Sequence, residues 1–345
     1  MKPRLKTKSS IGFLVSLIFI LLCFTSCSSL KSTSNQLILY NGQHLQTTQE
    51  LVSKFEQLTG INVEIRTADE DTLVNQIEQE GKNSPADLIF TENSPSLEQL
   101  SNKGILYTLP ASTFKNSTRK FDPRSKTWIA VTLRYSQIVY NKHLMSSNNL
   151  PTDILDFADK KYYGKIGLAP TETDFQPILT AVIKAYGYQT ALNWLLKVKT
   201  NATNHIYPDN ETLTSAVNSG QVAMGIINQY YWFRLKAQIG DAAMNSSLVS
   251  FKPYNPGNVI DVSGIGILKS SNHKSIALEF VKFITSREGQ NIIESSDSFE
   301  YPVNSFVKQN PLLPKLSTYK PYPITVEELG NGEGAIRLLR QAQLI

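Results

Sequence analysis

Apolar positions in the first part of the chain switch between strand-like and helix-like spacing. Residues 36–40 form a short apolar run, and the stretch after it places Leu51, Phe55 and Leu58 at helical spacing before Gly60. A glycine at that point is typical of a helix C-terminus. This part of the chain therefore predicts a strand followed by an amphipathic helix.

The same alternation repeats twice more. Strands are predicted at residues 61–66 and 87–90, and helices at residues 71–81 and from Pro95 onward. A β-α-β-α-β order predicts a parallel sheet with right-handed crossovers.

The second half contains long extended segments as well as helices. Residues 128–140 are strand-like with an interruption at 133–135, residues 175–186 are helical, and residues 222–228 and 259–268 are again strand-like. Two long extended segments can each pass between lobes. We therefore predict an α/β fold of two lobes, each a mostly parallel sheet flanked by helices, joined by a two-strand hinge with a cleft between the lobes.

The predicted organisation has four parts. They are a signal peptide (1–26), a polar tether (27–35), an N-terminal lobe (36–133 plus 261–308) and a C-terminal lobe (134–260 plus 309–345).

Four side chains with metal-binding chemistry follow predicted strands. His44 follows the first strand, Glu92 the third, and Tyr230 and Tyr231 the strand at 222–228. Ligands of open α/β sheets bind beyond the carboxyl ends of strands. Each residue also has an ordinary interpretation: a surface histidine, a helix-capping glutamate and an aromatic core patch. Their common position favours a site.

Two phenols, one carboxylate and one imidazole suit a hard trivalent cation, above all ferric iron. A phenol has a free pKa of about 10, so a strongly charged metal is needed to remove its proton near neutral pH. The sequence predicts iron as the ligand if these four side chains meet.

The N-terminal segment indicates export. A positive start precedes the apolar residues 11–24, which are too few to span a bilayer comfortably, and Thr25-Ser26-Cys27 resembles the end of a lipobox. Lipidation of Cys27 is expected, with a membrane anchor as its consequence. A plain signal peptide is the alternative.

Charge and cysteine content exclude other classes. The chain has 34 basic and 29 acidic residues; four of the basic ones and no acidic ones lie in residues 1–26, which leaves +1 for the remainder. No basic stripe for nucleic acid remains. Both cysteines, Cys23 and Cys27, lie near the N-terminus, so the domain beyond them has no thiolate site.

Several motifs in order resemble the bacterial ferric-ion-binding proteins, which are the substrate-binding components of iron ABC transporters. They are Leu-Tyr-Asn-Gly-Gln-His (39–44), Phe-Glu (55–56), Thr-Gly (59–60), Ser-Pro-Ala-Asp (84–87), Thr-Glu-Asn-Ser-Pro (91–95), Asn228 with Tyr-Tyr-Trp (230–232), and Glu-Tyr-Pro-Val-Asn (300–304). The resemblance implies a transferrin-like trap that delivers Fe³⁺ to an ABC permease and its ATPase. It implies His44, Glu92, Tyr230 and Tyr231 as iron ligands, with an anion or water at the remaining positions, and a monomer.

The resemblance also implies an anion pocket, where this chain departs from the family. Asn93 and Asn228 match, and Thr132 stands where a serine is common, but Glu172 stands where asparagine is common. A carboxylate there would repel phosphate. Arg134 is expected either to neutralise Glu172 or to hold a smaller anion itself, so carbonate or water is expected rather than phosphate.

Two rival functions remain open. A binding protein for another solute, such as a polyamine or an oxyanion, would share the fold but would not need all four predicted ligands. An enzyme is the rival from a different class. The chain has no Gly-x-Ser-x-Gly elbow, phosphate loop or His-Glu-x-x-His motif, and Ser-Gly-Ile-Gly at 263–266 lacks the last glycine of a dinucleotide fingerprint.

Overall fold

The computed structural model describes residues 36–345, which form one compact unit. The predicted signal peptide, the lipidation of Cys27 and the tether lie outside the described residues. Within the described part, none of the helices has the length and apolar character needed to cross a bilayer.

Nine strands and eleven α-helices are present in residues 36–345. The strands are β1 (Gln36–Gly42), β2 (Asn62–Thr67), β3 (Leu88–Thr91), β4 (Trp128–Asn141), β5 (Ile166–Gly167), β6 (Met224–Asn228), β7 (Ser246–Val249), β8 (Ile260–Ile267) and β9 (Tyr301–Pro302). The helices are α1 (Leu45–Thr59), α2 (Glu70–Glu80), α3 (Ser94–Asn102), α4 (Phe175–Tyr186), α5 (Tyr188–Ala202), α6 (Asn210–Ser219), α7 (Gln229–Ile239), α8 (Lys274–Ile284), α9 (Arg287–Ser295), α10 (Val326–Leu329) and α11 (Glu333–Gln341).

The first three strands form the predicted parallel unit. β1 lies between β2 and β3 and is parallel to both, with Leu39 opposite Ile65 on one side and Leu88 on the other. Helix α1 ends at Gly60, whose φ of 69° is the left-handed conformation that glycine adopts without strain. The β-α-β-α-β prediction is confirmed.

Strands β4 and β8 join the two halves of the sheet, whose order is β2-β1-β3-β8-β4-β6-β5. The first half of β4 pairs with β8 and its second half with β6 and β7. The expected interruption at residues 133–135 is wrong: Leu133, Arg134 and Tyr135 all pair with β8, and the irregularity lies between Ala130 and Thr132. A charged residue in the run suggested a break, but Arg134 stays in the ladder because its charge is paired.

Strand direction differs between the two halves. β8 is antiparallel to β3 and β4, and β4 is antiparallel to β6 and β7, so in the second half only β5 and β6 are parallel. The mixed α/β class is confirmed, but the parallel pairing expected for both lobes is present mainly in the first. β4 and β8, the strands that cross between the lobes, pair in opposite directions. The helical crossovers that make β1, β2 and β3 parallel do not determine this direction.

Two apolar cores lie on either side of this crossing. One combines β1–β3, the start of β4, α1 and α8, and contains Phe55 and Phe280; the other combines the end of β4, α4, α5 and α11, and contains Trp194 and Leu338. A third cluster, which includes Tyr230, connects residues of both halves. The cores agree with two lobes, and the predicted lobe boundaries stay a prediction.

Candidate metal-binding site

His44 and Glu92 lie just beyond the ends of β1 and β3. Because these strands are parallel neighbours, the two side chains meet: His44 Nδ1 is 2.9 Å from Glu92 Oε1. Gln43 Oε1 accepts a hydrogen bond of 2.7 Å from the His44 backbone amide and orients the loop. His44 Nε2 is buried without a hydrogen-bond partner in residues 36–345, so its lone pair or proton faces the interior of the site.

Tyr230 and Tyr231 lie in the first turn of α7, directly after the buried strand β6. Their rings are 4.0 Å apart between centroids, and the Tyr230 ring is 4.9 Å from the ring of His44. Both tyrosines are buried, at 0% and 4% exposure. The structure thus brings together His44, Glu92 and the two phenols, as predicted from their positions after strands.

Asp174 is a site residue that the sequence analysis missed. Its Oδ2 accepts hydrogen bonds from both Tyr230 Oη (3.2 Å) and Tyr231 Oη (3.0 Å). The signal available was an acidic residue directly before the apolar helix α4, a position usually explained by helix capping. The resemblance to the family indicated Glu172 instead.

Arg134 connects Asp174 to a second buried acid. Its side chain has 0% exposure, its Nη1 donates to Glu300 Oε1 (2.7 Å), its Nη2 donates to Asn93 Oδ1 (3.2 Å), and its Nε is 3.6 Å from Asp174 Oδ1. The expected neutralisation of Glu172 by Arg134 is therefore wrong. Glu172 instead accepts a hydrogen bond of 3.1 Å from the backbone amide of Asn210, because α6 approaches it from the other side.

The other predicted anion-binding residues are largely engaged with protein groups. The Asn93 side-chain amide donates to Thr173 Oγ1 (2.9 Å), and that of Asn228 donates to Asp261 Oδ2 (3.0 Å). Within the described chain, Thr132 Oγ1 and Asn228 Oδ1 are buried without a hydrogen-bond partner. Few donors are left for an external anion.

Electrostatics keep the phenols protonated in the metal-free site. Burial, followed by the negative charge of Asp174, raises the pKa of both Tyr230 and Tyr231 well above its ordinary value. Burial alone would lower the pKa of His44, but the charge and hydrogen bond of Glu92 raise it overall. Burial alone would raise the pKa of Glu92, but His44 and then Arg134 lower it to about 2.

A cavity of about 710 Å³ leads from His44 and Tyr231 toward the surface. Carboxylates dominate its lining, and no lysine or arginine among the described residues lines it. The acidic residues are Asp69, Glu70, Asp71, Glu92, Glu172, Asp209 and Glu211. Such a lining attracts cations and repels anions.

Asp261→Asn is expected to stabilise the metal-free protein at pH 8 and not at pH 4. Burial, followed by the charge of Asp174, raises the pKa of Asp261 to about 7. The folded state then holds this proton more tightly than the unfolded state does, where the pKa is about 3.9, so stability is lost as the pH rises from 4 to 7. Asparagine does not ionise, and the gain at pH 8 should reach up to about 4 kcal/mol.

Urea unfolding of the unsubstituted protein and of Asp261→Asn at pH 8 and pH 4 measures this gain. Asp69→Asn, at an exposed position, is the control. An equal gain in stability at both pH values would show that ionisation of Asp261 is not what destabilises the folded protein at pH 8.

Comparisons with known proteins agree with this geometry. The family model described as bacterial extracellular solute-binding protein matches residues 50–320. An Fe(3+)-binding periplasmic protein of Serratia marcescens is 34% identical over 345 residues, which is 100% of each chain. A major ferric iron-binding protein of Neisseria meningitidis is 34% identical over 306 residues, covering 88% of this chain and 92% of that protein.

Among solved structures, iron-bound HitA from Pseudomonas aeruginosa has a TM-score of 0.85 and 37% identity, covering 89% of this chain and 99% of that chain. The expected resemblance is confirmed, and the chain belongs to the bacterial extracellular solute-binding proteins, in the group that contains ferric-iron-binding proteins.

Proposed function

We propose that this protein captures Fe³⁺ between its two cores and delivers it to an ABC importer. The observation that carries the proposal is the meeting of His44 and Glu92 from one half of the sheet with Tyr230 and Tyr231 from the other. Relatives in Serratia and Neisseria whose names state ferric-iron binding support it.

The four side chains would act as ligands by exchanging protons for metal. Fe³⁺ displaces both phenolic protons, Glu92 is already ionised, and His44 offers a ring nitrogen. Because the ligands come from β1, β3 and β6, a cation bound by all four holds the two halves together. Its affinity is then higher for the closed arrangement, which shifts the population toward closure.

The proposal extends to the setting of the protein. The family of this protein consists of solute-binding proteins rather than enzymes. The family is described as extracellular, so the protein works outside the cytoplasm. We propose a monomer anchored to a bacterial membrane through lipidated Cys27, in a periplasm or at the cell surface, that docks on a permease with its ATPase.

If the bound iron takes up an external anion, we expect carbonate rather than phosphate, with Asn93, Thr132, Arg134 and Asn228 around it. Phosphate is the larger anion, with four oxygens instead of three, and the acids Asp174, Glu300 and Asp261 already surround Arg134 and Asn228. Repulsion between buried charges of the same sign is strong.

A polyamine carrier is the second candidate, because the acidic cavity would also attract an organic cation. A polyamine would not need buried phenols, and it would not displace their protons. An oxyanion is disfavoured by the same cavity lining.

Titration of the full chain in mild detergent with ferric citrate, followed by visible absorption, tests the proposal. A phenolate-to-iron charge-transfer band that saturates at one equivalent is expected, and spermidine should produce neither the band nor a thermal shift. Absence of the band together with a spermidine-dependent thermal shift would overturn the iron assignment in favour of the polyamine.

A further inference from the structure

Asp174 is placed against the predicted ligands in a way that its helix does not explain. It precedes α4 at the N-cap position, but its side chain accepts no hydrogen bond from the amides of that helix or of other described residues. Its φ of −58° and ψ of −22° are helical, unlike the extended backbone of a capping aspartate. Asp174 is 3% exposed, so its carboxylate is committed to the interior.

Both oxygens of this carboxylate face the site. Oδ2 accepts from Tyr230 and Tyr231 at 3.2 and 3.0 Å. Oδ1 is buried, has no hydrogen-bond partner within residues 36–345, and lies 3.6 Å from Arg134 Nε, which is also without one. A buried carboxylate oxygen with an open acceptor position beside two phenols is a donor group of the type that hard cations bind.

The four predicted ligands leave room for one more anionic group. Two phenolates, one carboxylate and a neutral imidazole supply one donor atom each, and hard cations commonly take about six oxygen or nitrogen donors. An external anion can fill the remaining positions, provided that the protein supplies donors to hold it.

Most of those donors are already used within the protein. Thr132 Oγ1 and Arg134 Nε lack a hydrogen-bond partner in residues 36–345, and Arg134 Nε faces Asp174. Arg134 donates to Glu300 and to Asn93, the Asn93 amide donates to Thr173, and the Asn228 amide donates to an acid, Asp261. An external anion would have to break these contacts and lie next to Asp174 itself. Arg134 lies 3.6 Å from the Asp174 carboxylate. A carboxylate of the chain therefore stands where an anion pocket would hold a free ion.

We propose that Asp174 is the anion of this site, supplied by the chain, so that Fe³⁺ binds tightly without an exogenous anion. The carboxylate completes the ligand set beside the two phenolates, whose protons leave to solvent, and Arg134 positions it. This inference rests on the proposed iron function and assigns one more residue to the same site.

The test is iron binding by the full chain in detergent with and without added anions. Ferric chloride is added from an acid stock to buffer freed of carbon dioxide and phosphate, alone or with bicarbonate or inorganic phosphate at 1 mM. The charge-transfer band of the unsubstituted protein is expected to form with the same position and, within about twofold, the same apparent affinity in all three buffers.

Asp174→Ala is expected to lose at least about 10-fold in affinity in anion-free buffer, because even a group that only supports a metal ligand contributes 10- to 100-fold. It should regain affinity when bicarbonate fills the space that the side chain left. Asp174→Asn keeps the shape without the charge, so it should lose affinity similarly and be rescued less. Glu98→Gln is the matched control, since Glu98 is a buried carboxylate that accepts from Trp128 Nε1 outside the site.

The outcomes separate this inference from the function on which it rests. A band that needs bicarbonate or phosphate in the unsubstituted protein would overturn the inference and leave the iron function standing. Equal anion-free affinity of Asp174→Ala and Glu98→Gln would also overturn it. Absence of a band in every buffer would overturn the proposed function itself.

Discussion

Tyr230→Phe and Tyr231→Phe are each expected to lower the affinity for Fe³⁺ by more than about 100-fold, because loss of a group that only supports a metal ligand already costs 10- to 100-fold. Each substitution removes one phenolate oxygen and keeps the ring, so the 4.0 Å ring contact and the packing under α7 are preserved. The charge-transfer band should weaken in each variant and disappear in the double variant.

Competition against nitrilotriacetate measures the affinities, and absorption measures the band. Tyr163→Phe is the control, because Tyr163 is 59% exposed and lies outside the site. Urea unfolding of the metal-free variants should show losses of about 1.5 to 3 kcal/mol, the contribution of a hydrogen bond to a charged group such as the Asp174 carboxylate. Unchanged band intensity in either single variant would exclude that tyrosine as a ligand.

The second large effect is loss of iron on acidification. Both phenols have a raised pKa, first because of burial and second because of Asp174, so each must lose a proton to bind iron at any pH below its pKa. The apparent affinity should therefore fall by about 100-fold for each pH unit lowered, one factor of ten for each phenol. His44, whose pKa is also raised by Glu92, adds a third proton once the pH falls below that pKa.

Affinities between pH 5 and pH 7, corrected for protonation of the competing chelator and for iron hydrolysis, give the slope. A logarithmic slope of two to three is expected, and Tyr230→Phe should reduce it by about one, since one proton fewer is exchanged. A slope below one in the unsubstituted protein would mean that the phenols do not give up their protons to iron.

Local pattern was sufficient for most of the first half of the fold. The alternation of apolar positions in residues 36–91 predicts β1, α1, β2, α2 and β3, because period and turn residues act over short distances. It also places His44 and Glu92 after parallel neighbours, which brings them to the same edge of the sheet. Strand direction around β4 was harder to predict, since antiparallel pairing with β8 joins segments more than 100 residues apart.

The site residues also divide into those that local pattern predicts and those that depend on packing between distant segments. Glu172 and Asp174 are two residues apart, and their chemistry alone does not indicate which one faces the phenols. Packing of α4 turns Asp174 inward to Tyr230 and Tyr231, whereas Glu172 turns to the backbone amide of the first residue of α6. One of the two expectations for Arg134, that it neutralises Glu172, was wrong for the same reason, because its partner Glu300 lies 166 positions away along the chain.

The sequence by itself determined the α/β alternation, the export signal as a prediction, and the four candidate ligands, because each depends on residue type and on position relative to a nearby strand. Tertiary structure alone decided which buried charges neutralise one another and which carboxylate accompanies the phenols. A buried charge is stable only beside a partner of opposite sign, and that partner is selected by packing between distant segments rather than by spacing along the chain.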